Sequence, residues 1–139
     1  MRRPKKKKRR GSVVVEFALL LPFLILIFVI GADWCRIYYA AHTVQDAART
    51  GALGASGIAY QEHFLTEAQR QHRGTEEALR DSDNLSPKLN PGDVVVVTSD
   101  SEVSVTVTYN FETLTQWPGI SGPIEIRRTV RMPVLPSSS

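Results

Sequence analysis

The sequence predicts an α+β fold: a long N-terminal transmembrane helix that continues outside the membrane, packed by a small C-terminal antiparallel sheet of about three strands. Three observations carry this. Val13 to Ile30 is 18 residues with one charged side chain, and Gly31 and Ala32 extend it to the length a helix needs to cross the roughly 30 Å hydrocarbon core of a bilayer. From Leu20 onward, Leu20, Phe23, Ile27, Ile30, Trp34, Ile37, Ala41, Val44, Ala48, Gly51 and Ala55 recur at alternating spacings of three and four, the seam of a helix packed against another surface. Beyond Asp93 the period changes to two, the signature of half-buried strands.

The chain opens on MRRPKKKKRR. Eight of its 17 Lys and Arg residues fall there, leaving nine against 14 Asp and Glu, so the remainder carries about −5. A nucleic-acid binder is expected to carry its basic patch on the folded domain, so no nucleic-acid partner is expected. Alone, PKKKKRR would pass as a nuclear-localisation run or a polyanion-binding arm. Beside an apolar span, Lys5, Lys6, Lys7, Lys8, Arg9 and Arg10 read as a topology signal that holds the N-terminus in the cytoplasm and sends the C-terminus out. Trp34, Tyr38 and Tyr39 then sit at or just beyond the outer interface, where aromatic rings are favoured.

Other readings of this start fit less well. A cleaved secretory signal has an apolar core of about 7–15 residues and a small-residue exit; this core is longer, and Ile30-Gly31-Ala32 is only a fair exit. Asp33-Trp34 before Cys35 spoils a lipoprotein signal. An uncleaved signal anchor accounts for everything except Glu16, since a carboxylate in the apolar part of a membrane helix costs about 2.5–3.5 kcal/mol on insertion scales. Glu16 either reaches the cytoplasmic headgroups from one turn inside or has a partner. Cleavage after Gly11 would give Ser12 a free α-amine, and the Glu16 carboxylate of one subunit would pair with the Ser12 amine of a neighbour, fixing the stagger between packed helices.

A basic leader, Gly11, four residues and then Glu16-Phe17 at the head of an apolar helix resembles the prepilin-peptidase signature of type IV pilins. More closely, Arg10-Gly11, Val15-Glu16-Phe17-Ala18-Leu19, Pro22, Arg36, Ala47-Ala48-Arg49 and Gly51-Ala52 resemble the TadE-like family of tight-adherence (Flp-type) pilus assembly proteins, over about the first 55 residues. The resemblance implies a pseudopilin-like inner-membrane subunit, cut between Gly11 and Ser12 by a prepilin peptidase, with Glu16 and Phe17 serving processing or assembly. Its implied partners are the membrane, other pilin-like subunits, the pilus assembly machinery and the peptidase. Ser12 departs from the Phe with which many pilins begin, which bears on N-methylation more than on cleavage.

The organisation expected is a basic cytoplasmic leader over 1–11, a transmembrane helix over 12–32 and its extracytoplasmic continuation over 33–56. A polar helical and loop connector follows over 57–92, then an antiparallel β region over 93–136 and a tail over 137–139. Pro22 removes one hydrogen bond from the helix and predicts a local kink. Trp34, Ile37, Ala41, Val44, Ala48, Gly51 and Ala55 form the packing stripe, small in its outer half so that another backbone can approach. Gly54 to Gly57 ends or bends the helix. Tyr60 to Arg80 reads as one or two short surface helices broken near Gly74, and DSDNLSPKLNPG over 81–92 as a loop. Val103, Val105, Val107, Tyr109 and Phe111 alternate with Ser104, Thr106, Thr108 and Asn110 in a strand preceded by a turn at Ser99-Asp100-Ser101. After a connection holding Trp117-Pro118-Gly119, Ile124 to Val134 alternates again, with Arg128 on the apolar side, the mark of a bulge or an edge. Three strands need a helix to cover their apolar face, and the stripe from Trp34 to Ala55 is the candidate cover, giving a pilin-like lollipop.

Catalysis has little support. His42, His63 and His72 have no Ser or Cys placed as a nucleophile partner. His42 and Asp46 share a helical face at the spacing of a metal pair, or of an exposed i,i+4 pair. There is no Gly-rich phosphate loop, so no enzyme activity, metal or cofactor is expected. Cys35 is the only cysteine and cannot form an internal disulfide; it either cross-links neighbours or sits as a free thiol at an interface. The function expected is a TadE-like pseudopilin or minor pilin-like subunit of a tight-adherence pilus assembly or secretion system. The alternative is an uncleaved single-pass envelope protein whose outer domain binds or scaffolds partners.

Overall fold

The computed structural model describes residues 10–58, 65–99, 101–113 and 122–134. Lys5 to Arg9, the N-terminal part of the connector with Tyr60, His63 and Phe64, Asp100 of the hairpin, and Trp117-Pro118-Gly119 lie outside the described residues. Helix α1 spans Arg10–Ser56, helix α2 Glu67–Asp81, and strands β1, β2 and β3 span Val94–Thr98, Glu102–Phe111 and Ile124–Pro133. The sheet is antiparallel in the order β1-β2-β3. The fold is therefore α+β, with the sheet following the helices.

At about 1.5 Å per residue, the 47 residues of α1 make a rod of roughly 70 Å. The helix is continuous through Pro22. Its outer part walls the sheet: Ala40, Val44, Ala47, Ala48, Ala52 and Ala55 are buried together with Val103, Val105, Val107, Tyr109 and Phe111 of β2. The division of sizes is complementary. Small side chains on the helix let its backbone lie close to the sheet, and branched and aromatic ones on β2 fill the layer between. The outer face of β2 is polar, where Thr106 and Thr129 join their hydroxyls across the β2–β3 pair at 2.9 Å.

Trp34, expected to open the packing stripe, is 68% exposed, whereas Asp33 is 1% exposed. The reason is helical pitch. Six turns of 3.6 residues reach back about 22 residues from Ala55, to Asp33, while a strict alternation of threes and fours drifts onto Trp34. Ile37 and Ala41 are half-buried, and Val44, Ala48, Gly51 and Ala55 are buried.

The break expected near Gly74 is absent, because α2 runs through it. Its buried face is Arg70, Gly74 and Ala78, one residue per turn, and it covers β1 while packing on α1. A Cβ on Gly51 would lie 2.7 Å from the Gly74 carbonyl oxygen, and a Cβ on Gly74 would lie 3.0 Å from both Ala55 Cβ and Val96 Cγ2. Gly74 thus marks a helix crossing. The start of α2 is set by a capping box, in which the Gln69 backbone N–H donates to the Thr66 hydroxyl at 3.4 Å and the Thr66 N–H to the Gln69 side chain at 2.9 Å. Thr50 also donates to Asp81 at 3.3 Å across the pair.

The same crossing closes the end of α1. Arg70, buried, donates from Nη1 to the carbonyls of Ala55 and Ser56, both at 3.0 Å. Those groups have no partner within the helix, and a cation is favoured at that end. Gly57, at φ 80°, turns the chain away. In the sheet, Ser99 N–H donates to Glu102 O at 2.8 Å at the hairpin, and the β2–β3 register is unbroken from Glu102↔Pro133 to Phe111↔Ile124. Arg128 therefore marks no bulge. It is exposed on an edge strand, where a charge discourages further pairing.

Gly51→Ala places a methyl against a backbone carbonyl that cannot swing aside, and is expected to destabilise the head by about 1–3 kcal/mol, net of a gain in helix propensity of up to about 1 kcal/mol. Gly31→Ala, with nothing within 4 Å of the added carbon, is expected to leave the transition unchanged or raised. Thermal unfolding of the two variants against the parent measures the difference.

Candidate functional site

The N-terminal half of α1 has no partner in the fold. Every residue from Val13 to Phe28 is exposed, among them Val13 at 66%, Phe17 at 59%, Leu19 at 74% and Phe28 at 76%. A helix that is apolar on all sides requires an apolar solvent or other apolar helices around it. The segment is long and apolar enough to cross a membrane.

Arg10, Gly11 and Ser12 lie at the start of the described part of α1. Glu16 follows one turn later on the exposed apolar rod, next to Phe17. The structure therefore brings the Gly11–Ser12 junction and Glu16 onto the same end of one helix. It keeps them far from the stripe residues Ile37 to Ala55, which serve the chain's own sheet. His42 rests against the Tyr38 ring at 4.3 Å between centroids, and no cluster of three or more His, Cys, Asp or Glu ligands occurs among the described residues.

Where the rod enters the head, a cluster of side chains appears that the sequence reading did not single out as a unit. Asp33 is buried, and its Oδ1 lies 3.7 Å from Arg36 Nη1 one turn on. The Arg36 guanidinium in turn lies over the Phe111 ring, 5.2 Å from its centroid, a cation–π distance. Tyr109, two residues back on the same face of β2, is 3% exposed. Burial pushes its hydroxyl pKa up, against a smaller opposing pull from Arg36 and with a further push from Glu112. The cluster ties the last turn of the rod to the central strand. Its sequence signal is the Asp33-x-x-Arg36 spacing on the face that lies six turns below Ala55.

Residues 11–53 match the family model described as TadE-like protein, the family that the motifs around Gly11, Glu16 and Arg36 resemble. The matched stretch lies within α1, so the similarity covers the exposed apolar part and most of the part that walls the sheet, and none of the sheet itself. That family is a pilus-associated structural one. Comparison with curated proteins and with solved structures gives no match.

The buried Tyr109 hydroxyl gives a measurable signature. The folded chain holds this proton more tightly than the unfolded one, because burial disfavours the phenolate. The resulting stability is complete below the ordinary tyrosine value of about 10 and is lost as pH rises past it toward the folded value. In an ultraviolet titration of the four tyrosines, Tyr109→Phe is expected to remove a component that ionises above the ordinary value, and to flatten the alkaline loss of stability.

Proposed function

We propose that this chain is a pseudopilin-like or minor pilin-like subunit of a Tad pilus assembly or secretion system. It sits in the inner membrane with its basic leader in the cytoplasm and its head outside, is cut between Gly11 and Ser12 by a prepilin peptidase, and assembles through α1. The observation that carries this reading is the division of one helix: an exposed apolar rod from Val13 to Phe28 joined without a break to a segment that is the wall of the head. A rod fixed to its head in this way can pack beside copies of itself while presenting the sheet outward. The TadE-like match over residues 11–53 supports the same assignment.

Glu16 has the decisive chemistry. After cleavage the Ser12 amine is a new cation at the end of the apolar rod, and a neighbour's Glu16 carboxylate offers the opposite charge in a low-dielectric setting, where an unpaired charge is expensive. Lys5 to Arg10 set the orientation before they are removed. The envelope-anchor reading, in which the leader stays attached, draws on one observation: α1 is already helical at Arg10 and continues through the cleavage junction. For cleavage, the helix must open locally at the junction.

One experiment separates the two. Parent and Glu16→Gln chains, each expressed as two differently tagged copies with an active prepilin peptidase, are measured for intact mass and co-purification. The parent is expected to begin at Ser12 and to capture its differently tagged copy. Glu16→Gln is expected to insert normally, since it removes a charge from lipid, and to lose most of that capture. An intact leader on the parent assigns the anchor reading instead, and a processed Glu16→Gln chain that assembles like the parent removes the charge pairing.

A further inference from the structure

At the base of the head, between α1, the turn after α2 and the end of β2, lies a cleft of about 310 Å³ whose walls include Arg36, Asn84, Leu85, Ser86, Tyr109 and Phe111. Two hydrogen-bond donors at its wall are buried and lack a hydrogen-bond partner among the described residues: the Tyr109 hydroxyl and Arg36 Nη1. Buried polar groups are normally satisfied, and each one left alone calls for an explanation. Both need an acceptor, and the Arg36 donor prefers one that carries negative charge.

The level of the cleft along α1 indicates what can supply that acceptor. Arg36 is four residues beyond Ala32, the end of the apolar segment, which is about 6 Å along the helix. The headgroup layer on each side of the hydrocarbon core is about 5–7 Å deep. Trp34, Tyr38 and Tyr39 are exposed at 68%, 69% and 54% on the same turns, as side chains at an interface are. We propose that the cleft is a phospholipid-headgroup site: neither donor atom is open to the cleft at rest, and a turn of the part-exposed Arg36 side chain lets a lipid phosphodiester accept from Arg36 and Tyr109 while Leu85 and Phe111 face the glycerol and upper methylenes. This rests on the reading of the Val13–Ile30 segment as membrane-embedded, and holds for either orientation of the chain.

The surrounding charges narrow the headgroup. Asp33 lies 3.7 Å from Arg36 Nη1, too far for a hydrogen bond, and Glu112 adds negative charge beside Tyr109. One carboxylate beside the guanidinium and another acting on Tyr109 disfavour a dianion such as free phosphate. They suit a singly charged phosphodiester carrying its own ammonium, as in phosphatidylethanolamine.

The test uses the full chain. Solubilised in mild detergent and titrated with short-chain phosphatidylethanolamine, it is expected to bind about one lipid per chain by native mass spectrometry. Tyr109→Phe removes one oxygen from a buried ring and is expected to weaken binding about tenfold, the loss of one hydrogen bond. Arg36→Gln is expected to weaken it about a hundredfold, the loss of a charge-assisted one. Thermal unfolding near that of the parent certifies Tyr109→Phe as folded even if Arg36→Gln is not. Unchanged affinity in folded Tyr109→Phe and Arg36→Gln overturns the site, and displacement of the lipid by an equal concentration of inorganic phosphate overturns its assignment to lipid. Alkaline carbonate extraction of the parent from vesicles judges the membrane reading separately. Release defeats that reading, whereas retention together with unchanged affinity in the variants defeats the cleft alone.

Discussion

The continuity of α1 from Arg10 to Ser56 is the constraint on which the rest of the structure depends. A sheet with an apolar face must bury it against another element, and here the cover is the outer half of the same helix whose inner half is an apolar rod. The two halves solve different problems with different side chains. The inner one is large and apolar all round, as lipid or neighbouring rods require. The outer one has Ala and Gly on one face, which lets the backbone lie against Val103, Val105 and Val107.

The second helix makes that arrangement rigid. α2 crosses α1 at the Gly51–Gly74 contact, covers β1, and sends Arg70 to the two carbonyls at the end of α1. A buried guanidinium is costly unless its donors are matched, and removing such a partner leaves uncompensated groups behind. The cap and the crossing thus fix where α1 stops and where the connector to the sheet begins. At the opposite end of the head, Asp33, Arg36 and Phe111 fix where the rod begins. Between these two anchors the helix has one rotational setting against the sheet.

Much of this was legible in the residues. The span, the strand alternation over Glu102–Phe111 and the hairpin follow from hydropathy and period, because those patterns report directly on which face is wet. The stripe along α1 was legible from Ile37 outward and failed at Trp34, where a seam of threes and fours departs from a straight helix of 3.6 residues per turn. The role of α2 was hidden for a physical reason. Its buried face is made of an arginine, a glycine and an alanine, so no apolar stripe announces it, and Gly74 reads as a breaker when it is a contact. Thr66-x-x-Gln69 was the available signal for its start. The cluster at Asp33 and Arg36 was equally hidden, since two charges beside a span resemble a solvated flank until the strand carrying Tyr109 and Phe111 is laid over them.

The central claim is that one helix passes from lipid to protein core without a break. A nitroxide scan along α1 of the full chain in bilayers, in a Cys35→Ser background, tests it most directly by comparing collisions with oxygen and with a water-soluble relaxant. Labels from Val13 to Phe28 are expected to report lipid on every face. Labels from Ile37 to Ala55 are expected to show protection with a period of 3.6 residues, deepest at Val44, Ala48 and Ala55. Periodic protection already present between Val13 and Phe28, or free access of the water-soluble reagent there, would contradict the account.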